Sequence, residues 1–236
     1  MLLLREEHQV IGLREDDFEE VVRDEWMPAL AKGNGARLLY YAHLAHGSGL
    51  AYRVITYTWL RDGAAWGDLV ERVNGGDLQK LSEKLDSMRH DVESKQMVPL
   101  PWSKVQDIEI EKIPTEPREH ELSVYMEDTV WPFHGKLEEY IERSGAQYSS
   151  EYDKSFPDTP RILEIRAAYR TAFGSHRRRE IILWQKVLLY DALLNLIIEE
   201  MPQEYKKPGL WMLDALALRD QWQSRLLRTS SWSPLF

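Results

Sequence analysis

The sequence predicts an α+β fold made of two similar units in tandem. Three observations carry that expectation. Each half ends on a Trp-Ser pair beside proline, Pro99-Leu100-Pro101-Trp102-Ser103 in the first and Ser231-Trp232-Ser233-Pro234-Leu235-Phe236 in the second. Each half holds a hairpin signal, turning on Gly47-Ser48 or on Gly174-Ser175. An amphipathic helical pattern separates hairpin from Trp-Ser in both.

The elements follow in order. Leu2 to Ile11 mixes apolar and polar residues at short range and reads as a strand. Asp16-Asp17 open a helix with Phe18, Val21, Val22 and Trp26 at helical spacing, stopped by the glycines at 33 and 35. Arg37 to His46 and Tyr52 to Trp59 are aromatic and β-branched and form the first hairpin. Ala64 to Val73 is a short helix. Asp77 to about Glu93 is a longer one, with Leu78, Leu81, Leu85, Met88 and Val92 along one stripe and Arg89 able to pair with Asp86 or Glu93. Val105 to Ile113 alternates strictly and reads as a strand. In the second half, Glu121 to Glu127 is a strand, Trp131-Pro132 begins a helix to about Arg143, and Gly145 ends it. An irregular polar insertion runs from Tyr148 to Pro160. Arg161 to Phe173 and Arg179 to Trp184 form the second hairpin. Helices are expected from Lys186 to Glu200 and from Leu210 to Arg228. A strand–helix–strand–strand–helix core is the ferredoxin-like arrangement. The expected units are 1–113 and 120–236, joined by 114–119, where Pro114-Thr115-Glu116-Pro117 reads as a linker.

Composition bounds the function. With 236 residues, 43% apolar and 29% charged, the chain reads as a globular protein with a large core. The longest apolar stretch, Val187 to Ile198, is interrupted by Asp191 and Asn195 and is too short to span a bilayer. Met1-Leu2-Leu3-Leu4 meets Arg5-Glu6-Glu7 at once, unlike a signal peptide, so the cytoplasm is the expected location. The absence of cysteine removes disulfides and thiolate chemistry. A net charge of −9 argues against nucleic acid. The one basic run, Arg177-Arg178-Arg179, is a solvated hairpin tip. Nine Trp and eleven Tyr suit cores, flat-ligand pockets and subunit interfaces, so a small-molecule substrate and a homo-oligomer are the expected partners.

The hairpin followed by Trp66-Gly67-Asp68-Leu69 or Tyr190-Asp191-Ala192-Leu193, and then the Trp-Ser ending, resembles the NIPSNAP-like branch of the dimeric α+β-barrel superfamily. The resemblance implies two sheets face to face in one barrel with helices outside. The superfamily includes cofactor-free enzymes on aromatic and polyketide-like compounds and haem proteins of the chlorite-dismutase type.

Strand parity then nominates a site. If apolar faces meet helices, Ser123, Tyr125, Glu127, Glu164 and Arg166 look into the barrel. In the first hairpin, His43 shares a face with Tyr41, and Arg53 shares a face with Tyr57 and Trp59. His43, Arg53, Tyr57 and Glu164 are the catalytic candidates, with His43 as proton carrier. Tyr41, Trp59, Tyr125, Arg166 and His134 are the substrate-binding candidates. Inverted parity would bring in Tyr40, His46 and Tyr52 instead. His90 and His176 read as surface residues. His43 and His46 lie on opposite faces of one strand, so no metal clamp is expected. Nucleotide-loop, serine-hydrolase and zinc-protease motifs are absent. The leading expectation is a cofactor-independent isomerase, cyclase or lyase. The alternatives are a haem protein using His43 or His134, and a non-catalytic binding or assembly protein whose barrel is plugged by its own side chains.

Overall fold

A computed structural model of the chain describes residues 1–33, 35–149, 161–175, 177–198 and 203–236. Eight antiparallel strands close into a barrel: β1 (Leu2–Val10), β2 (Ala36–Leu44), β3 (Arg53–Leu60), β4 (Arg89–Pro99), β5 (Val124–Val130), β6 (Leu163–Phe173), β7 (Ile181–Val187) and β8 (Trp222–Thr229). Their order round the barrel is β1-β3-β2-β8-β5-β7-β6-β4. Each half of the chain therefore supplies four neighbouring strands in the same ferredoxin-like order. The two halves meet at two seams, β2 with β8 and β4 with β6.

Helices cover the outside. In the first half they are α1 (Glu15–Val21), which runs through a π-helical turn at Val22–Trp26 into α2 (Met27–Ala31), then α3 (Gly63–Gly75) and α4 (Gln79–Asp86). Asp62 caps α3 by accepting the Ala65 amide at 2.9 Å. The second half has α5 (Leu137–Arg143) and helices at Tyr190–Ile198 and Trp211–Asp214. Because both faces of each sheet are covered, the core has three layers. Phe18, Val22, Leu30, Tyr41 and Val54 fill the space between the first sheet and its helices. Tyr140, Ile141, Ile181, Leu183 and Trp211 do so in the second half. Leu3, Tyr40, Tyr57, Met97, Tyr125, Tyr169 and Trp184 fill the barrel.

Several elements depart from the sequence reading. The expected helix 77–93 stops at Asp86, and Arg89 onward is β4, bonded to β1 on one side and β6 on the other. The expected helix 210–228 is a short helical turn followed by β8, which pairs with β2 and β5. In both places pairing with distant strands overrides the local helical pattern. Val105 to Ile113 forms two 3-10 turns instead of a strand. The barrel has no free edge for it to join, so Val105 and Ile113 drop into the barrel core instead. Helix α5 starts at Leu137 rather than at Trp131, and a π-helical turn at Ser144–Ser149 continues it through Gly145. Most of the polar insertion, 150–160, lies outside the described residues, as does His176.

The Trp-Ser repeats are reciprocal clasps, and each follows a strand. Ser103 Oγ accepts the Ala168 amide of the other half at 2.9 Å, and Ser233 Oγ accepts the Tyr41 amide at 3.1 Å. Trp102 Nε1 donates to the Ile141 carbonyl at 2.8 Å, and Trp232 Nε1 to Glu19 at 2.6 Å. Gly145 is required here: a Cβ at that position would lie 2.4 Å from the Trp102 ring.

Candidate functional site

The barrel interior is filled with side chains. Trp184 packs against Tyr125, Tyr57 and Tyr40 with ring centroids 4.7, 4.8 and 5.1 Å apart, and Tyr57 stacks on Tyr169 at 5.9 Å. Beyond this aromatic layer lies a charged one. Arg5, 2% exposed, grips Glu127, 1% exposed, through two hydrogen bonds of 2.8 Å. Arg225 reaches Glu127 at 2.6 Å and Glu7 at 2.9 Å, Tyr57 donates to Glu127 at 2.6 Å, and Arg53 pairs with Glu7. Burial pushes the Glu7 carboxyl up, but the charges of Arg5 and Arg225 and hydrogen bonds from Arg53 and Arg5 bring it down to about 2. Burial opposes the Glu127 charge too, and the same two guanidinium groups hold it far below the carboxylate range. Burial pushes the phenols of Tyr57, Tyr125 and Tyr169 well up, and Tyr40 to about 12, so all four stay neutral. This layer consists of compensated ions and neutral donors, with no group poised to exchange a proton near neutral pH.

The sequence-nominated residues do not converge. Arg53, Tyr57, Trp59 and Tyr125 face the interior. Glu164 and Arg166 pair at 3.2 Å at the opposite end from Arg53, where Glu164 lies across from Lys186. His43 and Tyr41 stand on the outer face. The imidazole contacts Glu15 at 3.1 Å and Glu19 at 2.9 Å beneath α1, so His43 cannot serve a site inside the barrel. The reason is a register shift between Leu38 and Tyr40, which turns Tyr40 and Ala42 inward. His46 and His134 are exposed, and Tyr52 is half exposed at a turn with φ +58°.

A different cluster has the features of a site. Between the outer face of the first sheet and its helices is a cleft of about 230 Å³. Trp26, Phe18 and Trp66 wall it, and Glu6, His8 and Arg89 project into it. Alternation along β1 places Glu6 and His8 on the face opposite Arg5 and Glu7. Arg89 Nη1 donates to His8 Nδ1 at 2.7 Å, so His8 Nε2–H donates to Thr56 Oγ1 at 3.1 Å. Asp86 holds the guanidinium from its other side through Nε at 2.9 Å, one of the two pairings the spacing offers, though Arg89 stands on β4 rather than on a helix. Among the described residues nothing hydrogen-bonds the Glu6 carboxylate. Burial raises its pKa, Arg89 opposes that and Asp86 adds to it. An apolar cleft holding a few convergent polar groups with displaced pKa values is where chemistry is expected.

Burial holds His8 neutral, its pKa lowered to about 3 with help from the charges of Arg89 and Arg5. An unfolded histidine titrates near ~6.5. Between these values the unfolded chain binds the extra proton, so the stability His8 supplies is present above pH ~6.5 and declines as pH falls toward 3. The loss should reach about 2 kcal/mol by pH 5. Urea midpoints measured from pH 7 to 5 should fall in the wild type and flatten in His8→Gln. Parallel curves would contradict the assignment.

The haem alternative does not fit these residues. His43 has both ring nitrogens engaged by carboxylates, His134 lies exposed outside the barrel, and both nitrogens of His8 are bonded. Among the described residues, no three His, Asp or Glu side chains gather as a metal site would need. Nor is any helix among them long and apolar enough to cross a membrane.

No protein family and no curated protein sequence matches the chain. Solved structures do. A protein named a "putative monooxygenase" from Lactobacillus acidophilus is 12% identical, covering 99% of this chain and 97% of its own, with a TM-score of 0.57. An anthrone oxidase-like protein matches at 9% identity and TM-score 0.59, covering 97% of this chain and 91% of its own. Chlorite dismutase from Candidatus Nitrospira defluvii matches at 10% identity and TM-score 0.51, covering 97% and 90%. The chain shares with them an α+β-barrel fold of ferredoxin-like units. At these identities the likeness is one of fold. In this α+β barrel both ferredoxin-like units lie in one chain. A NIPSNAP domain protein from Burkholderia xenovorans covers 43% of it, at 16% identity and TM-score 0.35.

The cleft residues were missed for an identifiable reason. Glu6 and His8 sit in a strand recognised as such, but Leu2 to Ile11 gives no sign of which face helices cover. Their partner Arg89 falls within a stretch whose local apolar spacing is helical.

Proposed function

We propose that the protein is a cofactor-independent enzyme that moves a proton on a small apolar or aromatic compound held in the outer cleft. The observation that carries this reading is Glu6, a carboxylate without a hydrogen-bond partner among the described residues, shielded by aromatic walls and lining the cleft beside a guanidinium. A carboxylate made more basic by burial is suited to remove a proton from carbon next to a carbonyl. The C–H electron pair then moves to the carbonyl oxygen, and Arg89 faces the charge that develops there. Return of the proton from Glu6 to a different carbon completes an isomerisation with no oxidant. His8 and Asp86 are positioning residues, because they hold the guanidinium from two sides. Trp26, Phe18 and Trp66 exclude water and accept a flat ring.

The probe is 2-tetralone, an aromatic ketone with acidic C–H bonds, in D2O. Wild-type protein should accelerate deuterium uptake at those carbons, as followed by NMR. Glu6→Gln should lose about 100-fold or more of that acceleration while still binding the ketone. Equal exchange in both proteins would exclude Glu6 as the base. Binding without turnover is the second reading. The filled barrel favours it, because its interior offers a reaction no chamber. Ligand affinity together with no exchange above background in the wild type would select it.

A further inference from the structure

The end of the barrel remote from Arg53 is built differently from the rest of the molecule. Strand β6 begins there, the 3-10 turns at Lys104–Asp107 and Ile110–Lys112 lie over it, and a hollow of about 260 Å³ remains. Its walls include the rings of Tyr40, Tyr125 and Phe236, and Arg166 and Lys104 reach it. Lys186 stands opposite Tyr125, with its ammonium 5.5 Å from the centre of the Phe236 ring. Three cations therefore gather at one mouth.

Glu164 is the only carboxylate paired with any of them among the described residues, at 3.2 Å from Arg166 and 3.2 Å from Lys104. Glu164 thus answers two of the three cations at this mouth, in a protein whose net charge is −9. Burial and the neighbouring Arg166 charge lower the Lys186 pKa. Arg166 Nε is buried and donates to nothing among the described residues. A guanidinium spends its Nε–H readily when a carboxylate meets it side-on, so an unspent one at a mouth that two lysines also reach is open to an added acceptor. Flat apolar walls favour a flat ligand.

We infer that this mouth is a binding site for a planar aromatic carboxylate, distinct from the outer cleft. The carboxylate accepts from Arg166 Nε and is drawn in by Lys104 and Lys186. The ring lies among Tyr40, Tyr125 and Phe236. Glu164 competes with the ligand for the same cations and so weakens its binding.

The probe is 2-naphthoate, with neutral 2-naphthalenemethanol as its uncharged counterpart, titrated calorimetrically into the full chain. Saturable binding of naphthoate and at least tenfold weaker binding of the alcohol are expected. Arg166→Gln should weaken naphthoate at least tenfold. Glu164→Gln should tighten it several-fold, a gain that a damaged fold would not produce. Glu6→Gln should leave it unchanged, which separates this site from the cleft. Absence of saturable naphthoate binding, equal affinity for the alcohol, insensitivity to Arg166→Gln, no tightening in Glu164→Gln or weakening in Glu6→Gln would each overturn the assignment.

Discussion

Glu127→Ala is expected to destabilise the protein by roughly 3–5 kcal/mol, the range for breaking a buried ion pair by removing one partner. Glu127 accepts from Arg5, Arg225 and Tyr57, and all three donors lie inside or at the rim of the barrel. Deleting the carboxylate leaves Arg5 with Glu7 as its remaining carboxylate, and Tyr57 with a buried hydroxyl stripped of its acceptor. For a chain of this length the midpoint of thermal unfolding should drop by roughly 6–20 °C. A smaller loss is expected for Glu127→Gln, which keeps an acceptor oxygen. A midpoint within a degree of wild type in Glu127→Ala would show that the cluster relaxes or admits water. The companion Glu7 has a folded pKa depressed to about 2. Its stabilisation is therefore complete above the unfolded carboxyl value near ~4.3 and is lost as pH falls from there toward 2.

Trp232→Ala is the second large effect, also roughly 3–5 kcal/mol. Trp232 is 2% exposed, packs on Tyr41 with ring centroids 4.9 Å apart, and donates to Glu19. Truncation would leave a cavity between the outer face of β2 and α1, and would remove a hydrogen bond from a carboxylate that its partners bring down to about 2 against burial. The helical pattern before each Trp-Ser pair places Trp102 and Trp232 at helix ends. Both instead follow closing strands, and Trp102 is only partly buried. Trp102→Ala should therefore cost distinctly less. Equal losses of melting temperature in the two variants would contradict this ranking.

What could be read from the sequence was what local chemistry decides. Gly47 and Gly174, with φ of +87° and +89°, mark the two hairpins, and their flanking strands were placed within a few residues. The helix of Trp66-Gly67-Asp68-Leu69 was equally legible. The closing strands were not. β4 reads Arg-His-Asp-Val-Glu-Ser-Lys-Gln-Met-Val-Pro, and its outer positions carry few apolar residues. Its strand character comes from β1 and β6, more than 60 residues away at their nearest, rather than from its own alternation. The face of His43 could not be read because one bulge in β2 decides it. Glu6 and His8 acquire their chemistry only when Phe18, Trp26, Trp66 and Arg89 arrive from four other elements.

The reciprocal clasps carry a consequence for assembly. Each half of the chain is completed by the other half's tail, through seams of three register pairs at β2–β8 and four at β4–β6. Nothing in those seams distinguishes a partner in the same chain from one in a second copy. Two opened chains can therefore exchange halves and rebuild every native contact, changing only the path of the segment that joins β4 to β5. The equilibrium between self-closed and exchanged forms is then set by chain concentration and by strain in that segment. Shortening the segment 114–119 should drive exchange. A shortened variant that refolds at high concentration and still elutes as a single closed chain would show that the seams recognise their own chain.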